Sequence, residues 1–205
     1  INMPDTCIVK NITSWKGQED YLQEVSYKSR KHIRKEVLQY ENYFDVKVKN
    51  KVSKHELNHY IDLYRNVMNN NFEINMFEYP EKFFTKMIDN PNWEFVTLEL
   101  KEEFNTKNKN QTVAVVFSYK AENGLYVPLL IGMDYDYVVD YKVYKQMLYQ
   151  LVQHAKKSEF NEMHLGFSAS FEKKKIGADV IPTTAYIQTK DNYSIEKIEM
   201  MAFGS

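Results

Sequence analysis

The chain has 205 residues and 43 % hydrophobic content, enough apolar side chain for one sizeable core. Lys and Arg number 27 against 28 Asp and Glu, a formal net charge of -1, so no global field draws the protein to DNA or to an anionic membrane, and any basic function must be local. A lone cysteine, Cys7, excludes an internal disulfide and fits a reducing, cytoplasmic setting, while no apolar run approaches the roughly 20 residues of a spanning helix.

The opening INMPDTCIVKN lacks the charged-then-apolar order of a signal peptide. It reads as an N-terminal extension, residues 1–14, of one domain covering 1–205, and an opening at Ile1 rather than methionine reads as a piece of a longer chain. Ser26 is an N-cap, and Tyr27 to about Tyr43 reads as a long helix that leads into the alternating strand FDVKVKN. Ser53 caps the next helix, in which Leu57, Ile61, Tyr64 and Met68 make one buried stripe. The run Asn69, Asn70, Asn71 ends that helix, and a short one, EKFFTKMID, follows Pro80.

Three strands come next: WEFVTLELK, TVAVVFSYKA and LYVPLLIGMD. The turn Glu122-Asn123-Gly124 joins the last two, so an antiparallel meander is expected, and the continuously apolar second and third strands require helices on both faces of the sheet. Tyr141 to about Lys157 supplies one such helix through Val143, Tyr144, Met147, Leu148, Leu151, Val152 and Ala155. The strand EMHLGF then returns, parallel to its neighbour by a right-handed crossover. The expected fold class is α+β, a mixed, mostly antiparallel sheet with helices on both faces.

Two constellations carry chemistry. Past the end of EMHLGF come small polar residues, Ser168 among them, then Lys173, Lys174 and Lys175, then Ile176-Gly177-Ala178 and another strand. Cations beyond the carboxyl end of a strand, with small residues beside them, suit an anionic or carbonyl group. The second is the helix after Ser26, where Arg30, Ile33, Arg34 and Val37 share a stripe. Guanidinium groups at a core margin call for a carboxylate, a carbonyl or a ligand anion, and an internal pair with Glu36, Glu41 or a distant Asp competes with anion binding. Pro128, inside an otherwise central strand, donates no ladder hydrogen bond and signals a bulge that frees backbone groups.

In the order of its elements the chain resembles the GNAT-like acyltransferases, in the branch related to the Fem-type peptidoglycan aminoacyltransferases and the acetyltransferase-like domains of peptidoglycan biosynthesis. The resemblance rests on Ser26 to Glu36 (SYKSRKHIRKE), on His154-Ala155 followed by Met163-His164-Leu165-Gly166, and on Lys173 to Ala178, and runs from about Ser14 to about Lys190. It implies acyl transfer from a thioester or ester donor, acyl-CoA or an aminoacyl-tRNA, to an amine of a small molecule or a cell-wall precursor. The donor would lodge where the fourth and fifth strands splay, touching Pro128, Gly132 and Gly166, with Arg30, Arg34, Tyr135 and Ser168 on the substrate. Lys173 falls where the Fem-type Lys-x-x-Phe-Gly lysine steadies the oxygen of the tetrahedral intermediate, with Ile176 in place of the phenylalanine.

Where acetyl-CoA-using members carry a glycine loop for the pyrophosphate, this chain reads Met133 to Lys142 (MDYDYVVDYK), with no glycine and three aspartates, which argues for another donor or none. Deprotonating the amine falls to Asp134, Tyr135 or His164 at the strand ends. Tyr135, Tyr137 and Tyr141 are candidate substrate contacts, and His55 and His59, one turn apart without an acidic partner, read as a solvated face rather than a metal site. No tightly held cofactor and no metal is expected. The alternative function is a non-catalytic GNAT-like module paired with a second such domain or docked in a larger enzyme.

Overall fold

Three runs rich in β-branched and aromatic residues form the middle of the sheet, because such side chains pack well on a pleated surface buried on both faces. The structure, a computed structural model, describes residues 2–70, 78–105, 107, 110–186, 188 and 196. In chain order the elements are β1 (Asn2–Val9), α1 (Gln18–Glu24), α2 (Tyr27–Glu36), β2 (Phe44–Lys49), α3 (Lys54–Asn70), α4 (Glu81–Ile88), β3 (Trp93–Leu100), β4 (Thr112–Lys120) and β5 (Leu125–Met133), then α5 (Tyr135–Val138), α6 (Val143–Lys157), β6 (Glu162–Gly166), α7 (Ser170–Lys175) and β7 (Asp179–Thr184). The seven strands lie in the order β2-β3-β4-β5-β6-β1-β7. Every pairing is antiparallel except β5 with β6. The chain is thus the expected α+β fold.

Helices cover both faces. On one face, Ile33 and Val37 of the α2 region, Tyr21 and Leu22 of α1 and the Val143–Ala155 stripe of α6 pack on Val96, Leu98, Ala114 and Val116. On the other, Leu57, Ile61 and Tyr64 of α3 and Phe84 and Met87 of α4 pack on Phe95, Val115 and Phe117, with Met68 at the margin. Ser53 and Glu56 form a reciprocal capping box, the Ser53 hydroxyl accepting from Glu56 N at 3.2 Å and the Glu56 carboxylate accepting from Ser53 N at 2.8 Å.

Three segments differ from the sequence expectation. The opening, read as an extension, is instead β1, hydrogen-bonded to β6 on one side and β7 on the other. The helix after Ser26 stops at Glu36: Val37 leaves helical geometry at φ -123°, and Leu38–Tyr43 tightens into a 3₁₀ turn that redirects the chain into β2. Neither α1 nor α5 is signalled in the sequence, each being too short to show a period. Asn71, like the last residues of the resemblance at 187 and 189–190, lies outside the described residues.

Candidate functional site

Strands β5 and β6 pair only at Leu125 with Glu162 and Tyr126 with Met163. Beyond that point they part. β6 stays bound to β1 on its far side, through His164 with Ile8 and Gly166 with Cys7, while β5 stays bound to β4 as far as Met133. The parting begins at Pro128. Ser118 of β4 pairs with Pro128 and Phe117 with Leu130, so Leu129 is an extra residue in β5, and it stands 47 % exposed in a strand that is otherwise largely covered. A proline without an N–H and a bulge beside it stop the ladder, so beyond Tyr126 and Met163 the two strands share no backbone pairing.

The loop that closes the β6 side is conformationally forced. Gly166, Ser168 and Ala169 have φ of 67°, 62° and 46°, two of them left-handed without being glycine, which costs on the order of 1 kcal/mol each. A Cβ on Gly166 would meet nothing within 4 Å, so space lies beside it. Gly132, in contrast, is fixed by packing: a Cβ there would stand 2.5 Å from Tyr64 N and 2.7 Å from the Leu63 carbonyl carbon, because α3 rests directly on β5.

Lys173 is buried in α7, immediately past this loop. Its ammonium donates to Leu165 O at 2.8 Å and Phe167 O at 2.6 Å, tying down the end of β6 and placing a fixed positive charge there. The same charge opposes the burial that pushes the Cys7 thiol up on the neighbouring strand. The other two lysines differ. Lys174 is exposed, and Lys175 pairs with Glu172 at 2.6 Å and covers the Phe171 ring at 4.1 Å.

Helix α2 spans the two sides of the gap. Ser26 accepts from Ser29 N at 3.1 Å and starts it. His32 Nε2 then lies 3.9 Å from Glu172 Oε2 on α7, which follows β6, and one turn later Glu36 Oε2 lies 3.5 Å from Lys145 Nζ in the first turn of α6, which follows β5 by way of α5. Burial lowers the His32 pKa, Lys175 and Lys145 lower it further, and Glu172 and Glu36 oppose them. The imidazole is therefore neutral near neutral pH. Sequence reasoning missed His32; its only signal was the His32–Glu36 spacing of one helical turn, whose partners lie far along the chain.

The outward flank of α2 carries a surface groove of about 370 Å³ lined by Tyr27, Arg30, Lys31, Arg34, Lys35 and Gln39. Arg34 is exposed and donates to Glu19 Oε2 at 3.1 Å, while Glu36 pairs with Lys145 and Glu41 accepts from Gln150 at 3.0 Å. Neither of the two carboxylates expected as its partner takes that role. Arg30 is half-buried, with an Nε shut off from solvent and no hydrogen-bond partner among the described residues.

The remaining candidates divide between the gap and the scaffold. His164, in the part of β6 that has left β5, bonds Glu162 Oε1 at 3.0 Å. Asp134 follows β5 and caps α5 by accepting from Asp136 N at 3.0 Å. Tyr135 is 39 % exposed, and Ser168 is exposed on the loop after β6. Tyr137 is fully buried with its hydroxyl on Asn105 Oδ1 at 2.7 Å, and Tyr141 donates to Phe104 O at 2.9 Å, so both brace the scaffold. His55 is exposed and His59 bonds Thr112 O at 2.9 Å.

The start of α6 does not fit a pyrophosphate. A helix terminus holds one through free N–H groups approached over small residues. Here Lys142 enters the helix at φ 54° with its ammonium turned back onto Val139 O at 2.8 Å, and the Glu36 carboxylate stands by the first turn.

A family model described as an acetyltransferase (GNAT) domain matches residues 27–174. No curated protein matches the chain. Among solved structures, FemX aligns with a TM-score of 0.62 at 9 % identity, over 88 % of this chain and 60 % of its own. L-PGS from Bacillus licheniformis aligns at 0.64 and 13 %, over 100 % of this chain and 66 % of its own. The C-terminal domain of a putative lysylphosphatidylglycerol synthetase from Agrobacterium fabrum aligns at 0.60 and 11 %, over 98 % and 65 %. The chain spans less than two thirds of each of these proteins, and the likeness is one of fold.

Proposed function

The chain belongs to the GNAT acetyltransferase-domain family, and on that premise we propose that it is an N-acyltransferase whose reaction takes place in the gap between β5 and β6. The observation that carries the reading is the early end of the β5–β6 ladder, after Tyr126 and Met163. An extended donor arm that carries carbonyl and amide groups, laid between those edges, replaces the missing ladder.

In the reaction the amine nitrogen of a small molecule or cell-wall precursor attacks the carbonyl carbon of the thioester or ester. The tetrahedral intermediate carries its charge on oxygen; the nitrogen gives up one proton, the carbon–sulfur or carbon–oxygen bond breaks, and the leaving group takes up a proton and departs as a thiol or an alcohol. Lys173 supplies positive charge at the end of β6, where that oxygen develops. His164, on the part of β6 that has left β5, and Asp134, just past the end of β5, take the proton, with neutral His32 on the α2 side. Leu129 and Gly166 border the acyl chain, and Tyr135 and Ser168 border the acceptor.

The misfit at the start of α6 favours a second reading, a non-catalytic member of the family that serves as a module beside another domain. One experiment separates the two: transfer to a panel of amines from acyl-CoA and aminoacyl-tRNA donors, with calorimetric titration of the same donors. Turnover that vanishes in a folded Lys173→Ala variant supports the enzyme. Absence of both heat and turnover with every donor rejects it.

A further inference from the structure

We propose that the outward flank of α2 is a binding site for nucleotide-borne phosphate and, given the transferase reading, that it holds the carrier of the acyl group. Two independent observations meet here. The first is the groove itself, which Arg30, Lys31, Arg34 and Lys35 line without a carboxylate among them. Arg34 has Glu19 as an exposed partner, a kind of pair that exchanges readily for a better anion. Arg30, Lys31 and Lys35 form no ion pair among the described residues, and the buried Nε of Arg30 is unsatisfied. A guanidinium with no ion-pair partner among the described residues is available to an anion, and planar guanidinium forks suit phosphate oxygens. Tyr27, 75 % exposed at the same groove, offers a face on which a base can stack.

The second observation is the misfit at the start of α6, where a carboxylate and a folded-back lysine stand at the place a helix terminus would offer to phosphate. Thioester and RNA-ester donors alike end in an adenosine nucleotide whose phosphates need cations. The inner flank of α2 spans the gap through His32 and Glu36, and the outer flank lies about one helix diameter away, ~10 Å. A carrier lodged on the outer flank therefore has its acyl arm within reach of the β5 and β6 edges.

The test uses three probes on the whole chain: coenzyme A, adenosine 3′,5′-bisphosphate, and a short single-stranded RNA ending in adenosine. Affinity is measured by calorimetry and fluorescence anisotropy across a salt series. At least one probe is expected to bind, with affinity falling as salt rises, and Lys31→Glu, Lys35→Glu and Arg30→Gln are each expected to weaken it about tenfold. Lys31 and Lys35 are exposed, so their variants stay informative even if Arg30→Gln fails to fold. Binding of coenzyme A and the bisphosphate marks a thioester carrier, and binding of the RNA alone marks an ester carrier. No binding by the wild-type chain, or affinities unmoved by all three substitutions, overturns the proposal. Transfer that proceeds while the substitutions leave binding intact removes the groove and spares the transferase reading, whereas groove binding without transfer under any condition does the reverse.

Discussion

The carboxylate of Glu94, at the start of β3, meets the imidazole of His154, in the last turn of α6, at 2.5 Å inside the protein. Tyr126 of β5 donates to the same oxygen at 2.8 Å, and Lys120 of β4 stands 3.7 Å from the other. The cluster sits at the closed end of the gap, where Tyr126 makes one of the two β5–β6 pairings. Burial opposes ionisation of Glu94, but the bonds from His154 and Tyr126 and the charges of His154 and Lys120 outweigh it and hold the carboxyl below the usual carboxylate range.

A depressed carboxyl contributes stability that is fully present above its unfolded pKa, about 4.3, and is lost as the pH falls through the folded value. Denaturant unfolding of the wild type is therefore expected to weaken progressively below about pH 4.3, and Glu94→Gln is expected to flatten that slope. At neutral pH His154→Ala leaves the buried carboxylate short of a partner and is expected to cost about 3 kcal/mol. Equal slopes for wild type and Glu94→Gln would show that this carboxylate does not govern acid stability.

Lys173→Ala is expected to lower turnover by about 10²–10³-fold, the usual cost of one donor at a developing oxyanion. Lys174, exposed one residue away, serves as the control: its alanine variant keeps wild-type turnover. Circular dichroism of both variants distinguishes lost chemistry from a lost fold.

Gly132→Ala puts a methyl group 2.5 Å from the backbone of α3. Neither α3 nor β5 can give way cheaply, so a loss of about 1–3 kcal/mol is expected by chemical denaturation. The same change at Gly166 meets no neighbour and is opposed only by its φ of 67°, for about 1 kcal/mol.

His32 titrates below its ordinary value because it is partly buried beside Lys175 and Lys145. Its contribution to stability is present above the unfolded pKa, about 6.5, and is lost as the pH falls through the folded one. His32→Gln is expected to remove that part of the fall in stability below about pH 6.5 and, with an active donor pair, to move the acid limb of the rate profile. An unaltered limb places the proton on another group.

Much of the fold is legible in the sequence because local chemistry and burial agree. Ser26 and Ser53 cap the helices their positions suggest. The stripes of α3 and α6 are the faces that pack, and Pro128 marks the bulge at which β5 leaves β6. β1 is illegible because its first half carries Pro4 and Asp5, and among its described side chains only Cys7, Ile8 and Val9 are buried. The break at Val37 is hidden because apolar residues keep a helical period on both sides of it. The setting of His32 is absent from the sequence pattern altogether, since Glu172 and Lys145 reach it only through tertiary packing.

The place of β1 between β6 and β7 governs how the molecule is made. Its hydrogen-bond partners, β6 and β7, lie far along the sequence, so β1 stays without them until the meander and α6 have been made. Closing so long a loop is slow. The β2–β5 meander, whose pairings are between sequence neighbours, is expected to form early as a half-sheet, and the wing that carries Lys173 to join it afterwards.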